Sequence, residues 1–462
     1  MAVDIETYRN QMKGKKIMVV GMGRSGMAAV KELHALGAIV TAQDIHTLEE
    51  LDPRFAKYME REQIDAVLGG NPEDPTGYDM IVLSPGVAPN LPFLEAARSA
   101  GVEVIGELEM AYRLTHGKFV AITGTNGKTT TTTLVGKIFE AAGRKKEVIG
   151  NIGVAAISKA SDSTDDEWLI TEASSFQLET TVTFAPVIAA VLNLTPDHLN
   201  RHKTMAAYAE AKQMVTANQT EEDYLVFNLD DRACDMIAMK THAKKIPFSR
   251  EQELTVGAYL KDDCLVVKDE EGVVHPICKK DELLIIGDHN VENALAAAAI
   301  AYFAGIDPET IGKAVKAFPG VEHRIEYCGA VDGVSYYNDS KGTNVDAALT
   351  ALRALKDHIL LIAGGDGKAQ DFADLGKALP GRVKELILFG RDAKEIGKAA
   401  EAAGFTAITY EKDLHDCVLA AAAKAEAGDK VLLSPACASW DMYDNYEQRG
   451  DHFKSCVQQM LR

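Results

Sequence analysis

FVAITGTNGKTTTTTLVGKIFEAA, residues 119–142, is typical of a strand, a glycine-rich turn and a helix in direct succession. The apolar run Phe119–Thr123 predicts a buried strand, and the helix is expected to run to about Ala142. In such a turn, backbone N–H groups surround phosphates, Lys128 reaches the β and γ oxygens, and Thr129 offers a hydroxyl to Mg²⁺. The turn departs from the strict GxxxxGK[ST] pattern, whose first glycine would fall at Ile122. A phosphate-binding loop is predicted here.

Four polar residues follow in the same α/β segment. Glu172 ends the predicted strand Trp168–Glu172, His198 follows the strand Val187–Leu194, Asn151 lies in a Gly-Asn-Ile-Gly turn, and Lys212 lies on a helix predicted over Met205 to Asn218. The carboxyl ends of parallel strands share one edge of a sheet, and carboxylate and imidazole suit a divalent metal that touches phosphate. Each residue also has an ordinary structural interpretation: a helix cap or ion pair for Glu172, a loop residue for His198, and a solvated helix lysine for Lys212.

An earlier glycine turn, GMGRSG at residues 21–26, stands between the strand Lys16–Val20 and a helix predicted over Ala28–Leu36. The strand Ile39–Gln43 follows, with Asp44 at its end. This βαβ pattern predicts a nucleotide diphosphate at the helix N-terminus, where unpaired N–H groups and the helix dipole favour anions. The alternative is a turn that only lets helix and strand pack, and the glycines alone do not distinguish UDP from NAD.

A third alternation of strands and helices begins after Phe318-Pro319-Gly320. It predicts a doubly wound sheet, with Arg324, the Asp339-Ser340-Lys341 turn, Lys368 and Ser439 at strand ends or at the domain junction. Cations there could hold carboxylates or a phosphoryl group, or could be ordinary surface charges. We therefore predict an α/β protein of three domains: a Rossmann-like N-terminal domain (1–115), a central P-loop ATPase α/β domain (116–321) and a C-terminal dinucleotide-binding-like domain (322–462).

The composition and the net charge of the chain exclude some classes of partner. The 462 residues suit about three domains, and 49 Lys and Arg against 68 Asp and Glu leave a net charge of −19, which repels nucleic acid. The longest uncharged stretch, 180–196, is too polar and too short for a membrane span. The N-terminus lacks the basic start of a signal peptide, and seven scattered cysteines without a CxxC pair predict reduced thiols. A cytoplasmic protein that binds neither nucleic acid nor membrane is expected.

Several motifs together resemble one family. They are ITGTNGKTT (122–130), EASSFQLE (172–179), LNLTPDHLNRH (192–202), AYAEAK (207–212), HNVEN (289–293), EHR (322–324), NDSKGTN (338–344), GGDGK (364–368) and LSPACASWDMYDNYEQRG (433–450). With these motifs the chain resembles the Mur ligase family of ATP-dependent amide-forming enzymes. SSFQLE and the SPACAS…NYEQRG ending resemble the member that adds D-glutamate.

The resemblance implies an ATP-dependent carbon–nitrogen ligase of cytoplasmic peptidoglycan precursor synthesis. Its substrates would be UDP-N-acetylmuramoyl-L-alanine and D-glutamate, joined through an acyl phosphate. ATP, two Mg²⁺ ions and a carbamylated Lys212 would take part, and we expect a monomer. Family members often carry Leu and Phe where this chain has Trp440 and Tyr446.

The resemblance also implies roles for individual residues. The catalytic set is Lys128, Glu172, His198, Lys212 and Lys341. The ATP-binding set is Gly124, Thr125, Asn126, Gly127, Lys128, Thr129, Thr130, Asn290, Asn293, Arg324 and Asp339. The UDP-substrate set is Gly23, Arg24, Ser25, Asp44, Gly86, Asn151 and His198. The amino-acid set is Thr343, Lys368, Ser439 and Tyr446. The metal ligands are Thr129, Glu172, His198 and Lys212 as its carbamate.

Three other functions are compatible with some of these motifs. A folylpolyglutamate synthase-like ligase shares the phosphate loop but has no need of the GMGRSG unit. An NAD-dependent oxidoreductase built on GMGRSG leaves GTNGKTT, Glu172 and Lys212 without a role. A binding protein that hydrolyses ATP only to move its domains is the third.

Overall fold

The structure is a computed structural model. It describes residues 4–367 and 370–461, apart from the side chain of Asn200. Lys368, which is predicted to bind the incoming amino acid, lies outside the described residues. The chain forms two compact units, Met1–Lys280 with Glu292–Lys316, and Asp281–Val291 with Ala317–Arg462. The boundary between Lys316 and Ala317 falls close to residue 322, the predicted start of the C-terminal domain.

The first 14 strands form two sheets. The strands are β1 (Lys16–Val20), β2 (Ile39–Asp44), β3 (Asp65–Leu68), β4 (Met80–Leu83), β5 (Glu103–Gly106), β6 (Lys118–Thr123), β7 (Lys146–Gly150), β8 (Trp168–Glu172), β9 (Ile188–Val191), β10 (Tyr224–Asn228), β11 (Lys244–Ser249), β12 (Gly257–Lys261), β13 (Cys264–Lys268) and β14 (Val274–Lys279).

Twelve α-helices accompany these strands in the described residues. They are α1 (Ile5–Gln11), α2 (Arg24–Ala35), α3 (Pro53–Glu62), α4 (Pro92–Ser99), α5 (Glu107–Leu114), α6 (Lys128–Ala141), α7 (Ser175–Leu178), α8 (Leu199–His202), α9 (Met205–Gln213), α10 (Arg232–Ala238), α11 (Asp288–Phe303) and α12 (Pro308–Ala317). Short 3₁₀ turns lie at Leu48–Glu50, Ala156–Lys159, Met214–Thr216 and Lys280–Glu282.

The front sheet has the order β3-β2-β1-β4-β5, and all its pairs are parallel. Strand β1 lies in the middle, and Ile17 to Val20 are buried, because a parallel sheet is covered by helices on both faces. The glycine turn after β1 therefore lies at the carboxyl edge, where such folds bind ligands. The predicted Rossmann-like unit is confirmed, but α2 begins at Arg24, four residues before the predicted start, because Gly23 itself caps the helix.

The central sheet has the order β14-β13-β12-β11-β10-β9-β6-β8-β7. Strands β7 to β12 pair in parallel, and β12 to β14 form an antiparallel meander. Strand β6 lies between β8 and β9, so the phosphate loop, Glu172 and the segment after Val191 leave the same edge. The predicted convergence of these strand ends is confirmed.

The alanine-rich part of α11 is a core element. Residues Ala294 to Ala301 are all fully buried. A helix that is surrounded by other parts of the protein has no side facing water, which is why this stretch carries no polar face.

The second unit is a doubly wound sheet, as predicted. Its strands are β15 (Glu326–Val331), β16 (Val334–Asn338), β17 (Ile359–Gly364), β18 (Val383–Phe389), β19 (Ile408–Tyr410) and β20 (Lys430–Leu433), in the order β15-β16-β20-β17-β18-β19. Its helices are α13 (Val345–Leu355), α14 (Ala373–Ala378), α15 (Ala393–Ala402), α16 (Leu414–Lys424) and α17 (Tyr446–Met460). Leu361 packs with α13 to α15 on one face, and Leu360 packs with α16 and α17 on the other.

Some predicted bounds differ from the structure. The helix predicted over Met205 to Asn218 ends as an α-helix at Gln213 and tightens into a 3₁₀ turn, a common way for a last turn to satisfy its carbonyl groups. All seven cysteines are free thiols, as predicted. Among the described residues, no helix is both long and apolar enough to cross a bilayer.

Glu109 holds the front and central sheets of the first unit together. Its carboxylate is fully buried and accepts hydrogen bonds from the N–H groups of Val182 (2.8 Å), Thr183 (2.9 Å) and Phe184 (3.1 Å), and from Arg113 Nε (2.7 Å). Removal of one partner from a buried ion pair leaves the other charge unpaired, which costs about 3–5 kcal/mol.

We therefore expect Glu109→Ala to lower the free energy of unfolding by about 3–5 kcal/mol in urea titrations followed by circular dichroism. The control is Glu95→Ala, which removes a half-exposed glutamate paired with Arg98 and should change the free energy by less than about 1 kcal/mol. Equal losses in the two variants would contradict the role given to Glu109.

Glu107 is the neighbouring buried acid, and its environment is different. Its Oε1 accepts a hydrogen bond from the Ile157 N–H (2.8 Å), but Oε2 is buried and has no partner among the described residues. Burial raises the pKa of Glu107 to about 7. Between pH 4.5 and 7 the folded chain keeps a proton that the unfolded chain has released, so stability is lost as pH rises through this window.

Glu107→Gln should remove this pH dependence. Relative to the variant, the wild type should lose up to about 3 kcal/mol of unfolding free energy between pH 4.5 and 7.5. Urea titrations of both proteins at several pH values measure the difference. A difference that does not change with pH would show that Glu107 is ionised in the folded protein throughout.

Candidate active site

The phosphate loop begins where β6 ends and passes directly into α6. Gly124 and Gly127 have φ values of 151° and 80°, in the region that favours glycine. A Cβ on Gly127 would overlap Asn293 Oδ1, so a larger residue would displace the Asn293 side chain. Lys128 Nζ donates to the carbonyl oxygens of Gly124 (2.9 Å) and Thr125 (2.8 Å). The ammonium group is therefore held over the loop whose first helical N–H groups have no intrahelical partner.

The loop is braced by the segment that follows β9. The Asn126 N–H donates to Asn193 Oδ1 (2.8 Å), and Asn193 Nδ2 donates to the Asn126 carbonyl (3.1 Å). Thr125 Oγ1 donates to the Thr195 carbonyl (3.1 Å). The side chain of Thr125 thus shapes the loop. Thr129 and Thr130 occupy the first turn of α6, and Thr130 is buried.

Glu172 ends β8, and only 1% of it is exposed. Its Oε1 accepts a 2.6 Å hydrogen bond from Asn151 Nδ2, and the Asn151 N–H donates to the Glu172 carbonyl (2.9 Å). Oε2 is buried without a hydrogen-bond partner among the described residues. A buried carboxylate oxygen without a partner is costly unless a cation or donor joins it. The residue therefore fits a metal ligand.

Lys212 is buried, and the solvated-lysine interpretation is wrong. Only 1% of it is exposed, and Nζ donates to the Gly124 carbonyl (2.7 Å) while lying 4.7 Å from the centre of the Tyr208 ring. Burial, and then the nearby charge of Lys128, lower the pKa of Lys212 well below its usual value. The burial arises because α9 packs this face against the end of β6, a tertiary contact that helical spacing does not predict.

His198 lies on the rim of the same edge. It caps α8 with a left-handed φ of 52°, its ring lies 4.8 Å from that of Phe176, and 48% of its side chain is exposed. In residues 4–367 and 370–461, no three His, Cys, Asp or Glu side chains are gathered as for a metal ion.

Five of the predicted UDP-substrate residues, Gly23, Arg24, Ser25, Asp44 and Gly86, lie at the carboxyl edge of the front sheet, whereas Asn151 and His198 lie at the edge of the central sheet. Open space surrounds Gly23 and Gly86, since a Cβ on either would meet no atom within 4 Å. Ser84 Oγ donates to the Gly21 carbonyl (2.6 Å), which joins the two glycine turns. Asp44 accepts a hydrogen bond from the Met22 N–H, so its carboxylate orders the first turn. Ser25 lies in the first turn of α2, and the Arg24 side chain extends to the Asn151 turn.

The predicted residues of the second unit gather at the carboxyl ends of β16 and β20. Asp339 is buried, accepts hydrogen bonds from Ser434 Oγ (2.6 Å) and the Ile325 N–H (3.2 Å), and burial raises its pKa to about 7. Arg324 is close enough to oppose that shift, and its Nε is buried without a partner among the described residues. Lys341 Nζ lies 5.5 Å from the centre of the Tyr446 ring.

The remaining predictions for the second unit are placed less closely together. Asn290 donates to the Ile286 carbonyl (2.8 Å) in the first turn of α11. Thr343 is half-buried, and its N–H donates to the Lys341 carbonyl (2.9 Å). Ser439 is buried and accepts backbone hydrogen bonds in its own turn. Trp440 is 64% exposed.

Sequence reasoning gave no role to Arg449, which the structure places between two of these turns. It is fully buried and donates to Ser340 Oγ (3.0 Å), the Ser340 carbonyl (2.8 Å) and the Cys437 carbonyl (3.0 Å). Arginine's rigid fork suits several carbonyl acceptors at once. Its place in the NYEQRG motif was the available signal.

A glycine loop after the central parallel strand, with a buried glutamate and a buried lysine beside it, is typical of α/β proteins that use nucleoside triphosphates. Three family profiles match this chain: Mur ligase MurD-like, N-terminal domain (residues 15–106), Mur ligase middle domain (122–301) and Mur ligase, glutamate ligase domain (323–437). The chain belongs to the Mur ligase family. The predicted family and three-domain α/β class are confirmed.

Curated relatives match nearly the full chain. Proteins named UDP-N-acetylmuramoylalanine–D-glutamate ligase are 44% identical in Alkaliphilus metalliredigens (98% of this chain, 100% of the relative), 46% in Alkaliphilus oremlandii (98% and 100%) and 43% in Clostridioides difficile (96% and 99%).

Solved structures share the fold at lower identity. A UDP-N-acetylmuramate-alanine ligase from Thermotoga maritima has a TM-score of 0.58 at 18% identity, over 96% of this chain and 99% of that one. A pseudomurein peptide ligase type C from Methanothermus fervidus has a TM-score of 0.57 at 18% identity, over 97% and 100%.

Proposed function

We propose that this protein is an ATP-dependent ligase that adds D-glutamate to UDP-N-acetylmuramoyl-L-alanine in peptidoglycan precursor synthesis. The observation that carries this proposal is the set of relatives that bear this activity in their name, at 43–46% identity over at least 96% of the chain. The phosphate loop with buried Glu172 and Lys212 supports ATP as the source of energy. We place the reaction in the cytoplasm and the active species as a monomer.

The reaction activates a carboxylate. An oxygen of the terminal alanine carboxylate attacks the γ-phosphorus of ATP, the bond to the β,γ-bridging oxygen breaks, and ADP leaves. The amine of D-glutamate then attacks the acyl phosphate, a tetrahedral intermediate collapses, and phosphate departs. Lys128, held over the loop by two carbonyl groups, offsets charge on the transferring phosphoryl oxygens, which is the main task in such a transfer.

Mg²⁺ fits this edge because Glu172 Oε2 is buried without a partner. Thr129, Glu172, His198 and a carbamylated Lys212 would hold the metal ions, which when bound neutralise phosphate charge. Carbamylation suits Lys212, because burial lowers its pKa and so favours the neutral amine, the form that can add carbon dioxide. The carbamate would then supply the anion that the lysine itself lacks.

The remaining predicted roles are retained as part of the proposal. The first glycine turn and Gly86 would receive the UDP end of the substrate. Arg324 and Asp339 would bind nucleotide, and Lys341, with Thr343, Lys368, Ser439 and Tyr446, would surround the incoming amino acid. The domain boundaries at 115/116 and 321/322 belong to the same proposal.

Phosphate release with ATP, Mg²⁺ and UDP-N-acetylmuramoyl-L-alanine tests the function. We expect release with D-glutamate and none above background with L-glutamate, L-alanine or diaminopimelate. Release with UDP-N-acetylmuramate and L-alanine, or with a folate and glutamate, would replace the proposed substrate. Reduction of NAD without ATP use would instead favour an oxidoreductase.

A further inference from the structure

Two arginines connect the front sheet to the edge of the central sheet that carries Glu172 and His198. Both side chains donate hydrogen bonds to backbone carbonyl groups of the other sheet's turns, and Arg201 also pairs with the Glu179 carboxylate. Each guanidinium satisfies more than one carbonyl, which a lysine cannot do in the same rigid geometry.

The first connection starts at Arg24, directly after Gly23 in the first turn of α2. Its guanidinium donates to the carbonyl oxygens of Gly150 (2.9 Å), Asn151 (3.0 Å) and Gly153 (3.1 Å). These residues form the turn after β7.

That turn leads directly to Glu172. Asn151 donates to Glu172 with its backbone N–H (2.9 Å) and its side-chain Nδ2 (2.6 Å). A Cβ on Gly150 would lie 2.4 Å from the Glu172 carbonyl oxygen, so the turn is packed tightly on the end of β8. Arg24 is thus linked, through the Asn151 turn, to the carboxylate whose Oε2 has no partner among the described residues.

The second connection starts at Arg201, three residues after His198. Its guanidinium donates to the carbonyl oxygens of Gly86 (3.2 Å) and Val87 (2.8 Å), in the second turn of the front sheet. It also lies over the Phe176 ring at 4.4 Å, and that ring contacts His198.

We propose that Arg24 and Arg201 are positioning residues that couple occupancy of the two UDP-substrate turns to metal binding at Glu172 and His198. This inference rests on the proposed function. A diphosphate that orders the N-terminus of α2 also fixes the base of Arg24, and hence the Asn151 turn. Coupling of two sites through a shared structural element changes both affinities by the same factor.

The test measures Mn²⁺, used in place of Mg²⁺, by electron paramagnetic resonance in the presence of ADP, with and without UDP-N-acetylmuramoyl-L-alanine. In the wild type the UDP-substrate should tighten Mn²⁺ binding by about fivefold or more. In Arg24→Leu and Arg201→Leu this factor should fall below about twofold, and Arg24→Lys should lie between, because one ammonium replaces part of the fork. Arg54→Leu is the control, since 93% of that side chain is exposed on α3.

Steady-state kinetics supply the second measurement. Loss of an outer contact to a metal ligand typically lowers activity by about 10- to 100-fold. Because Arg24 and Arg201 reach Glu172 and His198 only through Asn151 and Phe176, we expect kcat in the leucine variants to fall by up to that factor, with a smaller rise in KM for the UDP-substrate. A wild type without coupling, leucine variants that keep it, or a rise in KM at unchanged kcat would each overturn the proposal.

The two proposals fail in different ways. The Mn²⁺ measurement needs no D-glutamate, so a wild type that shows coupling but makes no product with D-glutamate would contradict only the proposed function. Thermal unfolding of each variant shows whether it is folded. If the leucine variants unfold, the intermediate coupling expected of Arg24→Lys still decides the matter, since unchanged coupling there would reject the role of the fork.

Discussion

Lys128→Ala is expected to lower kcat by about 10³-fold or more, because it removes the cation that we propose to offset charge on the transferring phosphoryl group. The Kd for UDP-N-acetylmuramoyl-L-alanine should change by less than about twofold, since the front-sheet turns are formed by other residues. Phosphate release and isothermal titration calorimetry measure the two quantities separately.

The matched control is Lys137→Ala, on the same helix α6 but with 58% of its side chain exposed and paired with Glu140. Its kcat should stay within about twofold of the wild type. If Lys128→Ala also fails to bind the UDP-substrate, the proposal that the front sheet binds this substrate and the central sheet binds ATP is wrong. Retained turnover would remove Lys128 from the chemistry.

Lys212→Ala should also abolish most turnover, by about 10²-fold or more, because it removes the proposed carbamate from the metal site. Short carboxylic acids such as acetate should restore part of the activity, since the space left by the side chain can admit an anion of similar chemistry. The measurement is phosphate release as a function of carboxylate concentration, with chloride at equal ionic strength for comparison.

Lys128→Ala provides the control for this rescue, because its missing group is a cation and added carboxylate should not help. Recovery in both variants would indicate a general salt effect. Absence of recovery in a folded Lys212→Ala protein would count against the carbamate and leave Lys212 as a buried cation on the Gly124 carbonyl.

The strands that carry the site were predictable because their signals are local. Strand β8 has the bounds that were predicted for it, and the phosphate loop follows β6 directly. The ends of α2 and α9 differ from the predicted ones, because caps and the last turn of a helix, rather than its periodicity, decide where it ends. Strand β7 was missed, because its short pattern of polar and apolar residues resembles loop sequence.

The position of a functional side chain was predictable only where its contacts are with residues nearby in the chain. Gly124, Gly127 and Lys128 form one local structure, and their arrangement followed from the motif. Arg201 and Arg449 make contacts more than 100 residues away in sequence, so spacing could not assign them.

The amino-acid sequence by itself determined the α/β class, the family and the phosphate loop, because period, glycine placement and motif spacing are properties of short segments. Only the tertiary structure decided that Lys212 is buried, that Glu172 keeps one oxygen without a hydrogen bond, and that Arg24 ends on the Asn151 turn. Burial and hydrogen-bond satisfaction are set by what other segments bring into contact. A charged side chain loses water, and changes its pKa, only when those segments close around it.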